Sequence, residues 1–132
     1  MIHYKLRKGK NDLAEVLGKK TFSTPVRGHY VEDNHPSTKS KLEKNGDLTV
    51  YPGFVWDFGS GAVDTPDMIE PSLVHDAFCH MTDNRYIPWS CRKVADKLFY
   101  TMLRERGCGW FRAMYMYIAV RSYSKVRKWR LK

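Results

Sequence analysis

Pro71-Ser72-Leu73-Val74-His75-Asp76-Ala77-Phe78-Cys79-His80-Met81 decides how this chain folds, once it is set beside Ser90-Cys91-Arg92-Lys93-Val94-Ala95-Asp96-Lys97-Leu98-Phe99. In the first stretch Leu73, Val74, Ala77 and Phe78 recur at helical spacing, and Pro71 or Ser72 is a good opening residue. In the second, Ser90 is a good cap for a helix through Val94, Leu98, Phe99, Met102 and Leu103, stopped by Gly107 and Gly109. Thr82-Asp83-Asn84-Arg85 and Ile87-Pro88 interrupt the helical pattern between them. The expectation is an antiparallel helix pair. His75 and Asp96 lie 21 residues apart, which sets them side by side across such a hairpin.

A third helix, aromatic and Met-rich, is expected from Trp110 to about Tyr123, with residues 125–132 as a basic, frayed continuation. The first third reads as β-rich and irregular. Residues 1–7 alternate weakly, and Gly28 to Glu32 and Leu48 to Val55 read as strands, the latter bent at Pro52-Gly53. Asn11 to Gly18 fits one short helix with Asn11 as cap and Gly18 as stop. Asp33 to Ser40 reads as an exposed, mobile polar loop, and Asp57-Phe58-Gly59-Ser60-Gly61 as a tight glycine-rich loop. The fold class is therefore α+β, a β-rich N-terminal part packed on a three-helix half, in a single domain over residues 1–132. Its expected parts are 1–56, a loop at 57–70, helices over 71–124 and a tail at 125–132.

Composition narrows the function. At 42% hydrophobic the chain carries enough apolar residues for a real core, yet no apolar run approaches the roughly 20 residues of a membrane span. No apolar leader follows Met1, and three cysteines are too few and too odd for a disulfide framework. The net charge of +9 is uneven. Residues 1–50 hold ten Lys/Arg against six acids, residues 51–96 three against seven, and residues 97–132 ten against one. An acidic centre suits a cation or catalysis, and a basic end suits an anionic partner.

The centre is where chemistry is concentrated. Adjacent helical residues point about 100° apart, so His75 can face the partner helix while Asp76 faces the preceding loop. If Asp96 takes the Nδ1–H of His75, it fixes the tautomer and leaves Nε2 to activate a water. Asp76 and Asp57, with Ser60 and other loop oxygens in support, have the hard-oxygen character that calcium requires. Arg92 would support the same loop. The bland alternative is a buried polar pair, His75–Asp96, that merely ties two helices. Zinc is disfavoured: His75 and Cys79 stand at i, i+4, with His80, Cys91 and Cys108 elsewhere, but the close-spaced Cys pairs of structural zinc sites are missing. Cys79 and Cys108 read as small core residues.

At the basic end, Trp110, Phe111, Met114, Tyr115, Met116 and Tyr117 stand at helical spacing and read mostly as core. Arg121, Lys125, Arg127, Lys128 and Arg130, with Trp129 interleaved, read as an anion-binding interface. Its partners would be an anionic membrane surface, a partner protein or nucleic acid, and a solvated tail with no partner is an equal alternative.

Two resemblances add to this. A glycine-rich loop, then His75-Asp76, then Asp96 in Ala95-Asp96-Lys97-Leu98-Phe99, resembles the catalytic helix pair of the calcium-dependent phospholipases of the A-two type. That resemblance implies His75 as general base, Asp96 as its orienter and Asp76 with the Asp57–Gly61 loop around calcium. It departs in the loop, which lacks the usual spacing to His75. The second covers residues 48–121: Gly53-Phe54-Val55-Trp56-Asp57-Phe58-Gly59-Ser60, His75-Asp76, Ser90-x-Arg92-x-x-Ala95-Asp96-x-x-Phe99 and Met114-Tyr115-x-x-x-Ala119-Val120-Arg121. This order is similar to a family of small uncharacterised domains of tailed bacteriophages and prophages. It implies a protein made in the host cytoplasm and, in one reading, carried in the virion. Two functions are expected: a phage-encoded phospholipase-like hydrolase of host envelope lipid, or a non-catalytic virion or assembly component whose basic end binds a partner protein or DNA.

Overall fold

The computed structural model describes residues 1–6, 13–57 and 66–130. Among the described residues seven short strands precede three helices: β1 (Tyr4–Leu6), β2 (Leu13–Val16), β3 (Lys20–Ser23), β4 (Val31–Asp33), β5 (Ser40–Leu42), β6 (Asp47–Val50), β7 (Val55–Asp57), α1 (Pro66–Asp83), α2 (Ser90–Glu105) and α3 (Trp110–Arg130). The class is α+β, as the sequence predicts. The strands form two antiparallel sheets, ordered β1-β2-β7 and β3-β6-β5-β4.

Local chemistry explains most of the boundaries, including four that the sequence misplaces. Residues 13–16 are a strand, where a helix over 11–18 is expected; residues 11 and 12 lie outside the described residues. Ala14 and Val16 are fully buried while Leu13 and Glu15 are half-buried, and β2 is paired on both edges, Ala14 opposite Leu6 and Trp56. Two-sided pairing outweighs a weak capping signal. The expected single strand over 48–55 is two strands in different sheets. The chain turns between them at Pro52-Gly53, where Gly53 has φ of 98°. The 33–40 segment is not a free loop, because its ends are buried in β4 and β5. There Asp33 Oδ1 accepts the His35 N–H at 2.9 Å and Oδ2 accepts the Thr38 hydroxyl at 2.9 Å.

The fourth correction concerns α1, which begins at Pro66 and carries Pro71 inside it. The extra turn places Glu70, 5% exposed, against the N-terminal strands. Its carboxylate accepts hydrogen bonds from the Ile2 N–H at 3.0 Å, from Lys20, and from Arg106 at 2.8 Å. Burial pushes its pKa up, but the Lys20 and Arg106 hydrogen bonds outweigh that and hold it below the ordinary range. At its other end α1 closes with the Tyr86 N–H on the Met81 carbonyl and the Arg85 N–H on the Thr82 carbonyl, Arg85 taking the left-handed position at φ 61°. Ser90 opens α2 as its first residue, without a side-chain cap.

The main core lies between the sheets and α1. Leu73, Val74, Ala77, Phe78 and Met81 meet Leu42, Leu48, Val50, Phe54 and Trp56. The Trp56 indole N–H donates to Ser72 Oγ at 3.1 Å, which fixes the roll of α1 on β7. A smaller cluster of Met68, Phe99, Leu103, Cys108 and Ala113 joins α2 to α3. α3 continues as helix to Arg130, so the expected frayed tail is helical over its described part. Among the described residues no helix is long and apolar enough to cross a membrane.

Candidate functional site

α1 and α2 pack as the expected hairpin, and they bring His75 to Asp96. His75 Nε2 lies 2.6 Å from Asp96 Oδ1. Asp96 is wholly buried, while the imidazole side chain keeps 12% of its surface in solvent. The bond uses Nε2 rather than the expected Nδ1. With Nε2–H donating to the carboxylate, Nδ1 becomes the nitrogen free to take a proton. The other Asp96 oxygen, Oδ2, accepts from Arg121 at 2.9 Å. Both carboxylate oxygens are thus held, and the imidazole stands in a fixed orientation beside the Phe99 ring, 5.1 Å between centroids.

Cys79, one turn beyond His75, puts Sγ 3.6 Å from Nδ1. Burial pushes its thiol pKa well up, and Asp76, Asp96 and Asp83 add to the shift against the opposing Arg92. The thiol stays protonated at neutral pH. It is a weak, neutral neighbour of the base and a poor nucleophile.

Asp76 is half-buried. Burial, with the Asp57 and Asp83 charges, lifts its pKa to about 7 despite the nearby Arg92 guanidinium. Among the described residues no hydrogen bond or ion pair reaches it. Two carboxylates that repel each other, one lacking a donor, fit a hard cation in kind, since a bound cation replaces the missing stabilisation. Calcium takes about six to eight oxygens, however, and among the described residues no group of three or more His, Cys, Asp or Glu is placed to hold a metal ion. Ser60 and the rest of the glycine-rich loop lie outside the described residues.

Arg92 is 1% exposed and ties all three helices. Nε donates to Ser124 Oγ at 3.0 Å, and Nη1 to Thr82 Oγ1 at 2.8 Å and Asp83 Oδ1 at 3.0 Å. Its plane lies over Trp89, 4.8 Å from the ring centroid. The basic end is split in the same way. Arg121 turns inward to Asp96, and Arg127 Nε lies 3.5 Å from Asp83. Lys125, Lys128, Trp129 and Arg130 face outward. The sequence signal for this split is the spacing of Arg121, Ser124 and Arg127, which puts three polar groups on the inner side of α3. A second imidazole–carboxylate pair has no local signal in the sequence: His80 Nε2 meets Asp33 Oδ2 at 3.0 Å and binds α1 to β4.

The profile of a family described as a protein of unknown function, DUF1353, matches residues 38–120. The chain belongs to this family. The DUF1353 segment runs from the turn before β5 into α3 and contains His75, Asp76, Arg92 and Asp96, with Arg121 one residue past its end. It begins upstream of the 48–121 pattern and covers nearly all of it. Strands β1 to β4 lie outside the DUF1353 match. No curated protein and no solved structure matches the chain.

Proposed function

We propose that this protein is a phage-encoded hydrolase of the phospholipase type, acting on host envelope lipid during penetration or lysis. The observation that carries the reading is the His75–Asp96 bond at 2.6 Å, with Asp96 itself clamped by Arg121. A carboxylate held at both oxygens fixes the imidazole, and fixing the imidazole is what an orienter does for a general base. In this reading Nδ1 takes a proton from water as the water attacks an ester carbonyl, and the proton then passes to the departing alcohol. Asp96 stays ionised and stabilises the imidazolium that forms. Calcium held by Asp76 and Asp57 would supply polarisation of the carbonyl. The Cys79 thiol at 3.6 Å from Nδ1 is too weak a partner to compete with a bound water.

The test is fatty-acid release from phosphatidylglycerol vesicles, with calcium and with a chelator, for wild type and His75→Ala. Calcium-dependent release that disappears in the variant supports the dyad. A second reading, a non-catalytic virion or assembly component, draws on the enclosure of the same groups: Asp96 and Arg92 are almost without solvent contact. Under it neither protein releases fatty acid, and His75→Ala lowers the thermal midpoint because a helix tie is lost.

A further inference from the structure

The aromatic residues of α3 are not where their spacing placed them. Phe111 is 80% exposed, Tyr115 70%, Ile118 57% and Trp129 74%, while only Ala113 and Ser124 of this helix are buried. Positions 111, 115, 118, 122, 126 and 129 advance by four and three residues, which aligns them in one stripe along the outer side of the helix. Val126 continues the apolar character, and Ser122 is the one polar member. Lys125 and Lys128 flank the stripe on one side and Arg130 on the other, all exposed. The stripe runs for most of a 21-residue helix, far beyond the scattered apolar residues of an ordinary surface.

Charge selects the occupant. Residues 110–130 hold six Lys/Arg and no acid. A second copy docked through this stripe would bring two such helices together, and like charges flanking an apolar seam oppose that pairing. An anionic surface meets the same charges favourably. Phe and Ile at the centre of the stripe, with Tyr and Trp beside them and lysines at the edge, match the layered polarity of a lipid headgroup region. Lys and Arg near such a surface add attraction that salt screens.

We infer that α3 is an interfacial helix that lies flat on an anionic bilayer, inserting Phe111, Tyr115, Ile118 and Trp129 while Lys125 and Lys128 meet lipid phosphates. The inference deepens the proposed lipid hydrolysis, on which it rests for its biological setting, by naming how the protein reaches its substrate. Its test reads binding alone.

The experiment is co-sedimentation with vesicles of ether-linked phosphatidylglycerol and phosphatidylcholine, which have no ester bond to cleave, against vesicles of the phosphatidylcholine lipid alone. Wild type should partition onto the anionic vesicles and release with added salt. Phe111→Ser/Tyr115→Ser/Ile118→Ser and, separately, Lys125→Glu/Lys128→Glu should each lose about tenfold or more in partitioning. Because all five side chains are exposed, the thermal midpoint without lipid should hold in both variants, so lost binding cannot be ascribed to misfolding. Absent binding by wild type, or binding unchanged in both variants, overturns the inference. So does a wild-type dimer in sedimentation equilibrium that the apolar triple variant dissociates without any lipid binding, since the stripe would then be a self-association surface. Failure of fatty-acid release in the ester-lipid assay bears on the dyad and leaves this result standing.

Discussion

Replacing Asp76 with Asn should stabilise the protein in mild alkali and leave it nearly unchanged in acid. In the fold the Asp76 carboxyl titrates near 7, against 3.8 for the same group free in water, because it is buried and faces Asp57 and Asp83. The folded chain therefore holds an extra proton between those two pH values, and stability falls as pH rises across that window. Below 3.8 the penalty is absent, and above about 7 it is complete. At about 1.4 kcal/mol per pKa unit, ionising Asp76 costs the fold about 4 kcal/mol at most. Solvent contact on this half-buried side chain brings the expected gain for Asp76→Asn to about 2–4 kcal/mol at pH 8. With a urea slope of about 2 kcal/mol per molar, that moves the unfolding midpoint by about 1–2 M. The assay is urea unfolding of both proteins from pH 4 to pH 8, taking the difference at each pH so that other titrating groups cancel. Calcium added at pH 8 should narrow the gap by stabilising wild type alone if Asp76 binds it. A difference that stays constant with pH refutes the assigned environment of Asp76.

Other expectations follow from the same contacts. Glu70→Gln should destabilise by about 2–3 kcal/mol in neutral urea melts, since it weakens two charged hydrogen bonds. Because the Glu70 pKa is lowered, that deficit should shrink as pH falls through its folded value, and a constant deficit would show that the pairs are not ionic. Arg92→Met should cost about 3 kcal/mol or more by calorimetry, as Asp83, Thr82 and Ser124 all lose their donor; a near-neutral result would mean the helices do not depend on it. Arg85→Gly should raise the thermal midpoint slightly, by about 1 kcal/mol of stability, because a glycine adopts φ 61° without steric cost.

What the sequence made legible was the part governed by helical periodicity and by chemistry within it. Leu73, Val74, Ala77 and Phe78 at helical spacing, and the 21-residue interval from His75 to Asp96, were sufficient to place one imidazole against one carboxylate. The nitrogen involved was not legible, since either can face the partner from the same backbone position. Leu13 to Val16 is short enough for a helix cap to look decisive, whereas the strand form of β2 depends on partners at both edges, Leu6 and Trp56 among them. The exposure of the α3 aromatics is hidden from the sequence for a different reason. A helix apolar on several sides gives no sign of which side meets protein, and that choice is set by Arg121, Ser124 and Arg127, bound to Asp96, Arg92 and Asp83, together with Ala113, Met116 and Val120 against the α2 cluster. The Asp33–His80 pair joins residues 47 apart across two structural layers, beyond the reach of any local pattern.

The boundary of the family match has a practical consequence for anyone trimming this protein. β3 lies along β6, β4 along β5 and β2 along β7, yet all three partners come from residues before 38. A fragment cut to 38–120 would strip one neighbour from each of β5, β6 and β7 and bare three rows of backbone N–H and C=O groups to solvent. Those rows are templates for intermolecular strand addition. Such a fragment would be expected to precipitate or to associate edge to edge, however intact its helix hairpin, and the segment from 13 to 33 should stay attached in any shortened version.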